Sequence, residues 1–303
     1  MAVVDAGRIS ARGAAMRRRA PLLPALILLF IVTQIPFLFT IIFSFQSWNL
    51  LRPGSTRWVW FQNYASVFTD GTALQALLNE VLMTVLAVLV SLVLGTLFAV
   101  LLDRKFPGRS VVRTLLISPF LIMPTVAALL WKTTMLDPVY GILNYLLRQV
   151  GAGPVDFVSS FPMTSVIVVL VWQWTPFMML ICLAGLQSQS HEVLEAASMD
   201  GAGPLRTFFS VTLPHLRSYL ELGGLLGAIY LVNTFDLIYM MTQGGPGTAT
   251  TNLPYYIYQR AFQGFDIGQA SALGVVTVIG TIIVATVALR SLFSVFKTAE
   301  GRA

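Results

Sequence analysis

Six apolar runs, at 22–46, 78–102, 111–135, 163–186, 218–242 and 269–294, dominate this chain. A helix needs ~20 apolar residues to cross the hydrocarbon core of a bilayer, and each run is that long. Hydrocarbon offers no water to amides and carbonyls, so such runs must satisfy their own hydrogen bonds as helices. The expected fold is an all-α integral membrane protein with six transmembrane helices. Composition agrees. The chain is 56% hydrophobic and 11% charged, against about 25% charged in soluble domains. A water-soluble fold could not hide that much apolar surface.

The first run follows Arg8, Arg12, Arg17, Arg18 and Arg19. From Leu22 to Phe45 it is too long for the apolar core of a signal peptide, and it contains Pro24 and Pro36. It reads as a retained first helix. Residues 1–20 then form a basic tail, and 21–303 a single membrane domain with no repeat and no separate soluble domain. Lys and Arg placement sets the orientation. With the N-terminus cytoplasmic, the inner segments hold those five arginines, then Arg104, Lys105, Arg109 and Arg113, then Arg206 and Arg217, then Arg290, Lys297 and Arg302. The outer segments hold Arg52, Arg57, Lys132, Arg148 and Arg260. Both termini are therefore expected in the cytoplasm. The outer segment 47–76 carries Trp48, Trp58, Trp60, Phe61, Tyr64 and Phe68. These fit an interfacial aromatic belt; the alternative is a surface that docks an external protein. Gly223, Gly224 and Gly227 fit close helix packing, and Cys182 fits a small apolar filler.

Between the fourth and fifth runs lies a polar interruption, about 187–216. Its centre runs from Glu195 through Gly201-Ala202-Gly203-Pro204 to Leu213-Pro214. Glu195 to Met199 can form a helical turn with Ala196 and Ala197 on a small face. Gly201 and Gly203 permit backbone angles closed to other residues. Pro204 suits the first turn of a new helix, whose face would carry Leu205, Phe208, Phe209 and Thr212. Two short helices at an angle are expected.

Ionisable groups in membrane spans are costly and often functional. Glu80 and Glu221 lie near span ends, where they would reach water or pair with arginines. Asp236 follows Asn233 at i, i+3, a pair suited to hydroxyl groups. The fourth run carries Trp172-Gln173-Trp174-Thr175-Pro176-Phe177, where indole faces could stack on a polyhydroxy ligand and Pro176 would open the helix. The candidate ligand path is Trp172, Gln173, Phe177, Tyr230, Asn233 and Asp236, with helix packing as the plainer reading. The chain has no phosphate-binding G-x-x-x-x-G-K-[ST] loop, no nucleophile motif and no metal-ligand spacing; His191 and His215 stand alone. No catalysis, cofactor or metal is expected of it. Topology accounts for the basic tail without nucleic acid.

The order Glu195-Ala196-Ala197, two residues, Asp200-Gly201-Ala202, then Leu213-Pro214 resembles the EAA motif, the coupling loop of ATP-binding-cassette (ABC) importer permeases. The chain as a whole looks like one permease subunit of a bacterial carbohydrate-uptake ABC importer. Phe61-Gln62-Asn63-Tyr64, Pro119 with Pro124, Gly141-Ile142-Leu143-Asn144 and Thr242-Gln243-Gly244-Gly245-Pro246 carry the likeness, the last typical of the maltose-permease-like subunit. Gln189-Ser190 depart from the family's Ile-Pro before the coupling helix. Leu115 to Phe120, Met123 to Val126, Gly153 to Asp156, Trp172 to Trp174 and Gly245 to Leu253 resemble sorbitol and mannitol (polyol) permeases more closely.

The resemblance implies the type I ABC importer permease fold in the bacterial cell membrane. It implies pairing with a second, homologous permease as a heterodimer, two ATPase subunits that use ATP and Mg, and an external substrate-binding protein. Glu195, Ala196, Ala197, Asp200, Gly201, Ala202, Leu205, Phe208 and Phe209 would carry coupling. A secondary transporter or channel is the alternative. It would show an inverted repeat and midplane charges, and neither is evident.

Overall fold

Backbone that must avoid water bonds to itself, and the chain is helical along most of its length. The computed structural model describes residues 22–300, without side chains at 284–285 and 287–300. The basic tail, Arg302 and the side chains of Arg290 and Lys297 lie outside the described residues. In chain order the elements are α1 (Leu23–Ser44), the short strands β1 (Gln46–Ser47) and β2 (Arg57–Trp58), α2 (Gln62–Thr69), α3 (Gly71–Asp103), α4 (Arg109–Leu121) and α5 (Pro124–Leu130). There follow α6 (Ile142–Gln149), α7 (Phe157–Ser160), α8 (Pro162–Gln187), α9 (His191–Met199), α10 (Pro204–Thr207) and α11 (Leu213–Leu231). Last come α12 (Asp236–Met241), α13 (Leu253–Tyr258) and α14 (Ile267–Glu300). Wider, π-type turns occupy Trp131–Met135, Phe208–Thr212 and Gln259–Gln263.

The described residues form two compact units, one of residues 22–67 with 260–275 and one of 68–259 with 276–300. In the first, the side chains of α1 are exposed from Leu22 to Pro36. An apolar helix with no polar face belongs in lipid or in a large core. Asn63 ties down the chain leaving α1: its Nδ2 donates to the Ser44 carbonyl at 2.8 Å and the Gln46 carbonyl at 2.9 Å. The tyrosine beside it hydrogen-bonds Ser44 Oγ at 2.6 Å. β1 and β2 pair antiparallel, Gln46 opposite Trp58, and the Ile267 and Gly268 amides donate to the Trp48 carbonyl.

In the second unit α3 packs along α8, with α11 against both. A methyl group at Gly95 would lie 2.7 Å from Met178 Cβ and from the Met179 nitrogen, so glycine is what lets α3 and α8 meet. Gly227 on α11 gives way to the same methionine. The core around them holds Met83, Ala87, Leu170, Leu231, Ile238 and Met241. Cys182 is buried in a separate cluster with Ala99, Leu102, Met179 and Leu183, 3.4 Å from Thr96 Oγ1.

The expected spans are met unevenly. α1, α3 and α8 are each long and apolar enough to cross a membrane. The run 111–135 is no straight helix, since α4 and the path from Pro124 to Met135 meet at 102°. Pro124 cannot donate to a preceding turn and disfavours helix in the residue before it. The run 218–242 also breaks, between α11 and α12. α8, by contrast, passes through Pro176 without interruption, so the expected opening there is absent.

Candidate functional site

The polar interruption begins at Ser190, whose Oγ accepts the Glu192 amide at 3.2 Å and caps α9. A serine here replaces the family's proline and still starts the helix. α9 ends at Asp200. The Gly201 amide donates to the Ser198 carbonyl and the Ala202 amide to the Ala197 carbonyl, both at 3.0 Å. That pair of bonds is the Schellman termination, which requires a left-handed residue after the cap; Gly201 has φ +73°. Gly203 does not share this role. Its φ of −69° is open to any residue, which corrects the sequence expectation. Pro204 opens α10 as expected.

The second expected short helix is instead the start of a long one. α10 continues through Phe208–Thr212 into α11. The Leu213 amide donates to the Phe208 carbonyl, five residues back. Pro214 has no amide to offer and its ring crowds the carbonyl four residues earlier, which accounts for the wide turn. One short helix therefore leads through a glycine joint into the membrane helix.

Glu195, Ala196, Asp200, Gly201, Leu205 and Phe209 are exposed, while Ala197, Ala202 and Phe208 are half-buried. Leu205 is 76% and Phe209 61% exposed. Met199, 88% exposed, and Val193 join them; the sequence reading passed over both. Apolar side chains on a short, charged helix were the available signal. His215, read as isolated, lies 3.1 Å from the Gly185 carbonyl and 3.2 Å from Ser188 Oγ, which is 2.9 Å from Tyr219 OH. These contacts fasten the end of α8 to α11. Glu221 pairs with Arg217 at 2.8 Å, as expected.

Glu80 does not reach water. It is 3% exposed, and its Oε2 accepts the Leu253 amide at 3.2 Å. Beside it Asn79 Nδ2 donates to the Thr248 and Thr251 carbonyls, each at 2.9 Å. Together they clamp the segment after Thr242-Gln243-Gly244-Gly245-Pro246. Asn144 does the same for the segments on either side of α6, donating to the Asp137 carbonyl before it and the Val155 carbonyl after it and accepting the Val155 amide. Next to it Asp156 caps α7. Hydrogen bonds from the Ser159 hydroxyl and amide hold its carboxyl below the usual carboxylate range.

The expected ligand path is only partly brought together. Trp174 joins it: its ring lies 5.6 Å from Phe177 and from Tyr230, and 5.7 Å from Phe120. Trp172 faces elsewhere, against Trp131 at 5.6 Å. Residues two apart on a helix point nearly opposite ways, whereas 174 and 177 share a face; that spacing was available in the sequence. Gln173 is buried and its Nε2 donates at 2.8 Å to the Ile122 carbonyl at the α4–α5 bend. Its amide is a strut. Asn233 and Asp236 are exposed, but the break between α11 and α12 separates them, so they do not share a helical face. Asn233 Nδ2 bonds the Ile229 carbonyl at 2.8 Å. The break is held by Asn252, whose Nδ2 donates to the Thr234 carbonyl while its Oδ1 caps α13.

A bundle of apolar helices with a capped polar joint is the architecture of a membrane transport component. The chain belongs to the family described as "Binding-protein-dependent transport system inner membrane component", whose model matches residues 11–296. It is 36% identical to "Probable ABC transporter permease protein y4oQ" of Sinorhizobium fredii over 273 residues, 89% of this chain and 88% of that protein. It is 33% identical to the sulfoquinovosyl glycerol transport system permease protein SmoG of Agrobacterium fabrum over 271 residues, again 89% and 88%. Among solved structures, a bacterial alginate ABC transporter in complex with an alginate pentasaccharide-bound periplasmic protein contains a similar chain. The likeness has a TM-score of 0.79 at 21% identity, over 91% of this chain and 94% of that one, and it shows the fold. This is the type I ABC permease fold of a multi-pass inner-membrane protein. Family membership sets aside the secondary transporter or channel.

Proposed function

We propose that this chain is one of two homologous permease subunits that import a sugar or polyol. An external binding protein delivers the substrate, and two ATPase subunits drive the cycle. ATP and Mg belong to those subunits; this chain binds no cofactor. Its termini face the cytoplasm, and so does the loop from Glu195 to Phe209. The observation that carries this reading is the exposed α9 ended by Gly201 at φ +73°. The first arm of the loop offers Glu195, Met199 and Asp200 outward and the second offers Leu205 and Phe209, and that second arm runs without a break into α11. A force on α9 would pass to a membrane helix. The aromatic face of Trp174, Phe177 and Tyr230, with Asn233 and Asp236 beyond it, suits the C–H faces and hydroxyls of a sugar or polyol. The likeness to a sulfoquinovosyl glycerol permease favours a polyhydroxy substrate.

The test is uptake of labelled sugars and polyols by membrane vesicles containing the full complex. Gly201→Val, and separately Asp200→Lys, are expected to abolish ATP-driven uptake while the chain stays in the membrane. Wild-type uptake in both variants would show that the loop transmits no force.

A further inference from the structure

Two adjoining hollows on the second unit, partly walled by the coupling loop, combine a basic and an apolar lining that coupling does not account for. One, about 660 Å³, lies between the α3–α4 turn and the coupling loop and is lined by Arg104, Lys105 and Arg109, with Asp103 and His191. The other, about 640 Å³, is an apolar groove whose walls include Leu89, Val93 and Leu97 of α3 and Phe209, Leu213 and Leu220 of the α11 path. Val100, Arg104, Pro204 and Phe208 line both, so the groove opens into the basic hollow. Among the described residues none of these three cations takes part in an ion pair. Asp103 offsets a single charge.

We propose that the combined site holds an anionic phospholipid, its phosphate against Arg104, Lys105 and Arg109 and an acyl chain along the groove. Charge and polarity match that amphiphile end for end. Cations just beyond a membrane helix attract anionic headgroups. Length matches too. Leu89 to Arg104 is fifteen residues, about 22 Å at 1.5 Å each, which is half of a ~40–45 Å bilayer including headgroups. A helix of a partner subunit would instead follow a groove down the full ~30 Å core. Phe208 and Pro204 belong to the coupling loop's second arm, so the lipid would brace the element that transmits motion.

The experiment uses the full chain with its partner subunits. The complex is incubated with vesicles of equal phosphatidylglycerol and phosphatidylcholine, re-extracted, and weighed by native mass spectrometry. The wild type is expected to retain phosphatidylglycerol at least tenfold over phosphatidylcholine. Arg104→Gln/Lys105→Gln/Arg109→Gln should abolish that preference. Val93→Trp, which fills the groove and leaves the cations, should also lose the lipid. Arg52→Gln/Arg57→Gln, elsewhere on the chain, should retain it. If the triple variant fails to assemble, the single exposed Lys105→Gln should still lower retention several-fold. Equal retention by wild type and charge variants overturns the site, as does equal retention of the two lipids. Cross-linking of Val93→Cys to a partner subunit also overturns it, because the groove is then a subunit interface.

Discussion

Gly201 shows how one residue sets the geometry of the loop. Nothing lies within 4 Å of where its Cβ would be, so the constraint is the φ of +73° alone. A β-branched residue there is a genuine outlier, at about 1–3 kcal/mol, whereas asparagine tolerates the left-handed region. Gly201→Asn should therefore keep more uptake than Gly201→Val. Gly203→Ala should be neutral, since its angles are ordinary and its surroundings open. Transport assays on the three variants check the order; a damaging Gly203→Ala would mean that the joint lies elsewhere. At the same scale, Trp174 rather than Trp172 is the residue to test. Trp174→Ala is expected to slow transport several-fold with ATPase activity retained, and Trp172→Ala to leave substrate preference unchanged. Asn233→Ala should also slow transport, by up to about tenfold, because its exposed amide is free to turn from its own helix.

Four buried asparagines hold the elements where helices stop. Asn63, Asn79, Asn144 and Asn252 are each less than a tenth exposed. Each spends its amide on carbonyls at a helix end or in the non-helical backbone beyond it. In a membrane protein, water cannot take that role at depth, and an amide can serve two carbonyls at once. Gln173 does the same at the α4–α5 bend. Removing such a donor leaves buried carbonyls unpaired, at about 1–3 kcal/mol. Asn79→Ala, Asn144→Ala and Gln173→Leu should each lower the melting temperature of the detergent-solubilised complex, while Asn233→Ala should not. No shift in the first three would show that water or lipid reaches those carbonyls. Three of these asparagines sit in stretches that the sequence flagged by resemblance. Their task was not legible there, because it depends on which loop carbonyl lies within reach after folding.

At the scale of the molecule, the number of crossings is set by the charge asymmetry and by the broken run at 111–135. The charge asymmetry predicts both termini inside, and the 102° bend between α4 and α5 allows either a broken span or a re-entrant segment. Reporter fusions after Ser110 and Ser210 are expected to read cytoplasm, and one at Gly153 to read the outside. A cytoplasmic signal at Gly153 would make 109–135 re-entrant and overturn the six-span topology.

Apolar run length and charge placement, both local properties of the chain, determined that it is helical and belongs in a bilayer, and where the polar joint falls. Residue order alone also placed the helix stop at Gly201 and the start at Pro204, because capping is decided within a few residues. Which side chains meet was decided only by tertiary structure. Glu80 looked like a span-end carboxylate until α3 packed beside the segment at Leu253. Gln173 looked like a ligand group until the bend at Ile122 presented a carbonyl to it. Asn233 and Asp236 looked like neighbours until the helix broke between them. Such pairings depend on contacts far apart in sequence, and periodicity within one element carries no information about them.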